Sequence, residues 1–346
     1  MSNENSPPDP DPDPAPVLEL LVAFRRSKAM FAGVKLGIFN ALQAGPQSLA
    51  ALNAQLRSHQ SALHRLLDAL VGMELLERNG EDYSNSPAAM AYLTQNSPRR
   101  MTGYINFSNR VGWKLWEHLE GSVLEGTHRW SETYGDDQPI FSHFYKDEND
   151  KHEFLMGMHG FGLISSPHVV AAFDLSRFHR LVDLGGATGH LTVAACQRYP
   201  TLKGCVFDLP EVTPLAKSLI AETDVADRIE VVNGDFFTDT LPTADLYALG
   251  RILHDWSEEK SLDLLRKIHA ALPPGGGLLV AEKLIQEDRS GPDWAQMQDL
   301  NMLVCTEGRE RTLAEYRQLL QAAGFVEVSG VVTRSPADAI LAVRAH

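Results

Sequence analysis

The chain has 346 residues, of which 44% are hydrophobic and 22% charged, and its formal net charge is −14. That length suits two domains with cores large enough to need no staples. The acidic balance argues against nucleic acid or an anionic membrane surface as a partner, because both repel a negative protein.

Residues 1–16, with the run PPDPDPDPAP, read as a disordered tail, since proline lacks the N–H of helices and inner strands and little there can be buried. No basic segment followed by an apolar run marks a leader, and no run of about 18 apolar residues predicts a membrane span.

Residues 17–100 predict a helical domain. Leu18, Leu21, Val22 and Phe24, then Met30, Phe31, Val34, Leu36 and Ile38, recur at helical spacing. A second helix, SLAALNAQL, opens at Ser48, and a third, SALHRLLDALVGMELLER, offers Ser61 as N-cap. Asn79-Gly80 then predicts the turn of a short hairpin. Three helices and a hairpin make a winged helix. Residues 101–165 predict a helical connector rich in aromatics, among them Trp113, Trp116, Trp130, Phe141 and Phe144.

Over residues 166–346 short apolar runs alternate with helical stretches. The fold class expected is α/β, a doubly wound, mostly parallel sheet of seven strands. The last two strands, VEVSGVV and AILAVRA, are too close for a parallel crossover and form an antiparallel pair. Cys196 and Cys205 fall in apolar stretches, and with Cys305 form no CxxC pair. Sparse, odd cysteines suit a reducing compartment, and a cytoplasmic location is expected.

The strongest local signal is Leu181–Gly189, LVDLGGATG: a strand, the acidic Asp183, and a turn with Gly185 and Gly186 opening a helix. In an open α/β sheet that turn borders the ligand crevice. Dinucleotide enzymes also carry a Gly-rich turn, but as GxGxxG. The second strand ends in Asp208-Leu209, where a carboxylate can accept two ribose hydroxyls. The third ends in Asp235-Phe236, a carboxylate and a ring suited to an adenine. Three acidic strand ends without a basic phosphate clamp favour a cation, and S-adenosylmethionine is expected over a nicotinamide dinucleotide.

The fourth strand runs into Arg251 and then His254-Asp255 on the same edge, which makes His254 a candidate general base. Glu282, closing the fifth strand, and Glu310, in TEGRERT, are candidates to orient its imidazole. Asp255 ranks below them, because adjacent residues usually point apart. Phe107, Trp113, Trp116, Phe154, Met158, His159, Phe161, Met297, Asn301 and Met302 are candidates to line a pocket for a flat, apolar acceptor.

Together LVDLGGATG, FDLPEV, GDFF, DLYALGRILHDW, PGGGLLVAE, DLNMLVCTEGRERT and AGF resemble the S-adenosylmethionine-dependent O-methyltransferase class of the caffeic acid and acetylserotonin (hydroxyindole) enzymes. The likeness spans residues 18–346. It implies methyl transfer to a hydroxyl of a small aromatic acceptor, with S-adenosyl-L-homocysteine as product. It implies that Gly185, Asp208, Asp235, Phe236 and Arg251 touch the cofactor, that His254 is the base, and that Glu282 and Glu310 flank it. It matches Tyr145 to a cofactor contact and Asn301 to a substrate contact, and Met158 and Met302 could sandwich a ring. One departure is Gly162, beside Phe161, where the acetylserotonin enzyme places a cofactor-contacting tryptophan. Some relatives have drifted to hydroxylation or decarboxylation, and the His254, Glu282 and Glu310 set argues against that here. The resemblance also implies a homodimer formed through the winged helix, with Met30–Ile38 at the interface, and no metal. A winged-helix DNA-binding regulator is disfavoured by the acidic wing at Glu77, Glu81 and Asp82.

Overall fold

The structure is a computed structural model that describes residues 12–135, 140–145 and 147–346. The chain divides into two compact units, Met1–Ser97 and Pro98–His346.

In the first unit, helix α1 (Ala15–Lys35) begins two residues earlier than expected. Pro16 lies in its first turn, where a missing N–H has no helical partner to lose. Most of the expected tail, residues 1–11, lies outside the described residues. After α2 (Ile38–Ala41) and β1 (Gln47–Ser48), the Ser48 hydroxyl caps α3 (Leu49–Leu56) by accepting from Ala51 N. The next helix, α4 (Gln60–Gly72), starts before Ser61, which therefore is not its N-cap; the Ser61 hydroxyl instead meets His59 Nδ1 at 3.3 Å. Strands β2 (Leu76–Asn79) and β3 (Asp82–Asn85) pair Asn79 with Asp82, so the loop is Gly80-Glu81, one residue later than expected. Gly80 supplies the positive φ of +62° that this tight loop needs. β1 adds to β3 as a third strand, and α5 (Pro87–Tyr92) follows, capped by Ser86. Leu63, Leu67 and Leu70 put one face of α4 into a core with Ile38, Phe39, Leu52 and Tyr83.

The expected interface run Met30–Ile38 is divided: Ile38 is fully buried in this core. The exposed apolar face lies earlier on α1, with Val17, Leu20, Leu21 and Phe24 between 53% and 77% exposed.

The second unit opens with α6 (Thr102–Phe107), a π-helical turn over Ser108–Gly112, α7 (Trp113–Trp116), α8 (Leu119–Glu125), α9 (Trp130–Tyr134) and α10 (Ile140–Phe144). The long α11 (Glu148–Ala171) is capped by Asp147 and runs past residue 165, so the expected connector boundary falls inside a helix. At Gly103 the backbones of α6 and α11 approach so closely that an added Cβ would sit 2.2 Å from the Glu153 carbonyl.

The sheet follows. In chain order its strands are β4 (Arg180–Leu184), β5 (Lys203–Asp208), β6 (Ile229–Asn233), β7 (Leu246–Gly250), β8 (Gly277–Glu282) and, after the short β9 (Leu284–Ile285) and β10 (Arg311–Thr312), β11 (Glu327–Val331) and β12 (Asp338–Val343). The spatial order is β11-β12-β8-β7-β4-β5-β6, with β12 alone antiparallel to its neighbours. The last two strands thus end the sheet as the expected antiparallel hairpin, with β12 beside β8 and β11 at the edge.

Helices α12 (His190–Arg198), α13 (Thr213–Ala221), α14 (Glu258–Ala271) and α16 (Leu313–Ala322) complete the doubly wound layers, and α15 (Asp293–Cys305) precedes β10. Helices on both faces explain why β8 is buried at every position. Strand order reverses at β4, which is flanked by β5 and β7, and the crevice opens there at the strand C-termini. Among the described residues no helix is long and apolar enough to cross a membrane.

Candidate active site

The turn after β4 is built on positive φ angles at Gly185 (+67°), Ala187 (+49°) and Gly189 (+78°). A Cβ on Gly185 would lie 2.6 Å from Ile252, and one on Gly186 would lie 2.8 Å from the Asp183 carboxyl, so only glycine fits either place. Asp183 is turned beneath this loop: it is buried and accepts from Thr192 Oγ1 at 3.0 Å. It therefore supports the turn from below rather than facing the crevice. Asp208 is tied to the same loop, with one carboxylate oxygen accepting from Ala187 N and the other from Leu209 N, both at 2.7 Å. Asp235 accepts from Phe237 N at 2.7 Å, and the Phe236 and Phe237 rings lie 4.7 Å apart.

Burial pushes Asp183 and Asp208 up to about 7 and about 6. A carboxylate desolvated at the loop, as Asp208 is, favours an entering cation, so the crevice fits a positively charged adenosyl cofactor. Tyr145, directly after α10, has its phenol pushed up by burial and then by the charges of Asp208, Asp255 and Glu211.

Arg251 follows β7 with φ +57°, a left-handed conformation that costs a non-glycine residue roughly 1–2 kcal/mol. Its N–H donates to the Ala281 carbonyl, and its guanidinium lies 5.1 Å from the Phe161 ring centre. Phe161, expected to line the acceptor pocket, thus packs on a residue expected to hold the cofactor.

His254, Glu282 and Glu310 come together, all almost fully buried. The imidazole Nδ1 and Glu310 Oε1 are 2.6 Å apart. Glu282 does something different from orienting the ring. Its Oε1 accepts from the backbone N–H groups of Ile252, Leu253 and His254 at 3.1, 2.7 and 3.4 Å, and its Oε2 accepts from the Tyr316 hydroxyl. Asp255, ranked lower from sequence, brings a carboxylate oxygen 3.7 Å from His254 Nε2. The backbone turn that Glu282 gathers folds the two neighbouring side chains toward each other. Burial draws the imidazole down, but Glu310, Asp255 and Glu282 together outweigh it and raise the ring to about 9. Asp255 is itself pushed up to about 7 by burial.

On the acceptor side, α7 packs against α15. Trp116 Nε1 donates to Asn301 Oδ1 at 2.9 Å, and the Cys305 thiol reaches the same oxygen at 3.4 Å. Trp113 begins α7 directly after the π-helical turn. Phe107 and Phe154 join Phe141, Phe144 and Tyr145 in one aromatic cluster. Met158 sits half-buried on α11, and Met302 is buried on α15, with its sulfur 3.8 Å from Thr306 Oγ1. Met297 is 48% exposed and does not share that burial.

His159 departs from expectation. Its Nδ1 bonds to Thr188 Oγ1 of the Gly-rich turn at 2.9 Å, so it leans on the cofactor side. Gly162 is explained by His190, whose ring lies where a Cβ would be, at 2.2 Å, and whose Nδ1 bonds to Ser166 at 2.8 Å. Tyr316 and Trp294, whose ring lies 6.0 Å from that of Phe161, escaped the sequence reading because each sits in an ordinary helical pattern.

The family model described as O-methyltransferase domain matches residues 116–326, and that described as O-methyltransferase dimerisation domain matches residues 18–95. Acetylserotonin O-methyltransferase of Gallus gallus is 40% identical over 325 residues, covering 92% of this chain and 94% of its own. The Homo sapiens enzyme is 39% identical with the same coverage. The crystal structure of human N-acetylserotonin methyltransferase in complex with SAM superposes with a TM-score of 0.90 at 37% identity, covering 98% of this chain and all of that one. The structure titled PigF with SAH gives a TM-score of 0.87 at 27% identity, covering 96% of this chain and all of its own. With a crevice of matching chemistry and both family models in place, this chain belongs to the O-methyltransferase family.

Proposed function

We propose that the enzyme transfers a methyl group from S-adenosylmethionine to a hydroxyl of a flat aromatic acceptor, with His254 as general base. The observation that carries this reading is the His254–Glu310 bond. With Nδ1–H donated to a carboxylate, the imidazole keeps Nε2 to accept a proton.

A free phenol has a pKa near 10, so ionising it at pH 7 costs about 4 kcal/mol. A positioned base removes that proton as the new bond forms, an effect worth roughly 10²–10⁴-fold. S-adenosylmethionine, when bound, supplies an electrophilic methyl and leaves as S-adenosylhomocysteine. The residues that would hold it are Gly185, Gly186, Asp208, Leu209, Asp235, Phe236, Arg251 and Tyr145, with Asp183 supporting the loop. Glu310 fixes the imidazole and stabilises its charged form, and Glu282 fixes the backbone from which it hangs.

A hydroxyindole is the acceptor class that the acetylserotonin relatives favour, and a simple or polyketide phenol is the alternative. Trp113, Met158, Phe161, Asn301 and Met302 would line its site. With Asn301 Oδ1 committed to Trp116, the amide Nδ2 is the group that remains to donate to an acceptor oxygen. The exposed apolar face of α1 supports pairing with a second copy. The three cysteines are free, which suits a reducing compartment.

The direct test is a methyl-transfer panel of N-acetylserotonin, simple phenols and polyketide phenols, read by mass spectrometry. A mass gain of one methyl on a hydroxyl is expected. Turnover of S-adenosylmethionine with no methylated oxygen on any member would sink the reading.

A further inference from the structure

Among the described residues the largest side chain with essentially no solvent exposure is a charged one, Arg311. Its Nη1 donates to the carbonyls of Leu253 (3.1 Å) and Arg309 (3.2 Å), and its Nη2 to Glu258 Oε2 (2.9 Å). Its Nε is buried with no partner among the described residues. Burying a permanent charge is costly, and an apolar residue of similar volume would secure β10 without that cost. Packing alone therefore does not account for arginine here.

What the guanidinium grips is informative. The Leu253 carbonyl belongs to the peptide that leads into His254. Glu282 already holds the N–H groups on this turn, and Tyr316, which donates to Glu282, has its ring centre 5.7 Å from the Arg311 guanidinium. One short turn is thus held by a carboxylate on its donors and, on the Leu253 carbonyl, by the guanidinium at 3.1 Å and the Ser261 hydroxyl at 3.3 Å. The loop before β10 presses on the same place: a Cβ on Gly308 would lie 2.3 Å from the His254 carbonyl oxygen. Consecutive residues then divide the work. Glu310 bonds the ring, and Arg311 bonds the backbone that carries it.

We propose that Arg311 is a positioning residue for methyl transfer, fixing the Leu253–His254 peptide so that the imidazole keeps its aim. This rests on His254 being the base. Arg311 acts through that peptide alone and leaves cofactor and acceptor binding untouched.

The test compares Arg311→Met, Arg311→Lys and Glu258→Gln with wild type. N-acetylserotonin is the acceptor, or whichever panel phenol turns over fastest. The readouts are kcat, acceptor KM and S-adenosylhomocysteine affinity by calorimetry. A misplacement of about 1 Å costs on the order of 10²-fold in rate, and that loss in kcat is expected for Arg311→Met, with KM and affinity unchanged. Arg311→Lys should recover roughly tenfold of it, because an ammonium can reach a carbonyl but lacks the fork. Glu258 is 56% exposed, so Glu258→Gln reads the same clamp from its outer end should Arg311→Met fail to fold, and a smaller kcat loss is expected there. Wild-type kcat in both Arg311→Lys and Glu258→Gln, or a loss of affinity that matches the loss of kcat, overturns the proposal. His254→Ala run in parallel separates the two failures. If it is inactive while the clamp variants are normal, only the role of Arg311 falls. If it is fully active, the base assignment falls and takes this proposal with it.

Discussion

The imidazole of His254 sits between opposed influences, and its protonation state decides whether it can act. Burial alone would leave it neutral, yet three nearby carboxylates hold the ring up at about 9. A base must be neutral to accept a proton, so turnover should climb as pH rises toward that value. Stability runs the other way. The folded pKa lies above the unfolded value near 6.5, so the imidazolium's contribution is complete below pH 6.5 and is lost as pH rises through about 9. We expect the melting temperature of wild type to fall more steeply over that window than that of His254→Gln, measured by scanning calorimetry. Parallel curves would show that the ring does not titrate there. At this scale much was legible. A histidine and two glutamates at strand ends stand out because their chemistry is rare in such places. The approach of Asp255, the leaning of His159 on Thr188 and the diversion of Glu282 to backbone N–H groups were not, since each depends on how a turn folds back on itself.

Among the elements, α11 and the start of α12 meet more tightly than their sequences suggest. Gly162 has no room for a side chain because His190 occupies it, and burial pushes that imidazole down to about 3, so it is neutral there. Gly162→Ala should force the ring aside and strain its bond to Ser166, lowering stability by about 1–3 kcal/mol. Chemical denaturation of Gly162→Ala, His190→Ala and the double variant checks this. The second change should cost less once the first is made, and strictly additive losses would refute the contact. Helix periods and caps gave α3 and the strands correctly, but Ser61 missed the N-cap, His59, by two residues and the hairpin loop missed by one. Slips of this size are what local signals leave open, because a turn's register is settled by the pairing of Asn79 with Asp82.

The whole molecule shows the same division between pattern and arrangement. Alternating apolar runs disclose seven strands, but not that β12 enters between β8 and β11, because strand order is a matter of tertiary packing. Composition and charge pointed away from nucleic acid and anionic membrane, and the resemblance carried by the motifs is matched by both family models. On α1 and its C-cap the apolar surface left exposed runs from Val17 to Phe24 and includes Leu36, while Ile38 is buried in the unit's own core. Leu21 is 63% and Phe24 53% exposed in the single chain, an unfavourable amount of apolar surface unless it is covered. Leu21→Asp with Phe24→Asp should halve the mass measured by light scattering after size exclusion. An unchanged mass would place the interface elsewhere.

One rod also sets limits on how this enzyme could change its diet. With 24 residues, α11 is about 36 Å long. It carries Phe154 in the aromatic cluster toward one end, and Gly162 and Ser166 against the start of α12 toward the other. With acceptor and cofactor placed as proposed, a shift that loosened the aromatic cluster would drag the packing at α12 with it. New acceptors would therefore be won by exchanging side chains along this rod, not by moving it.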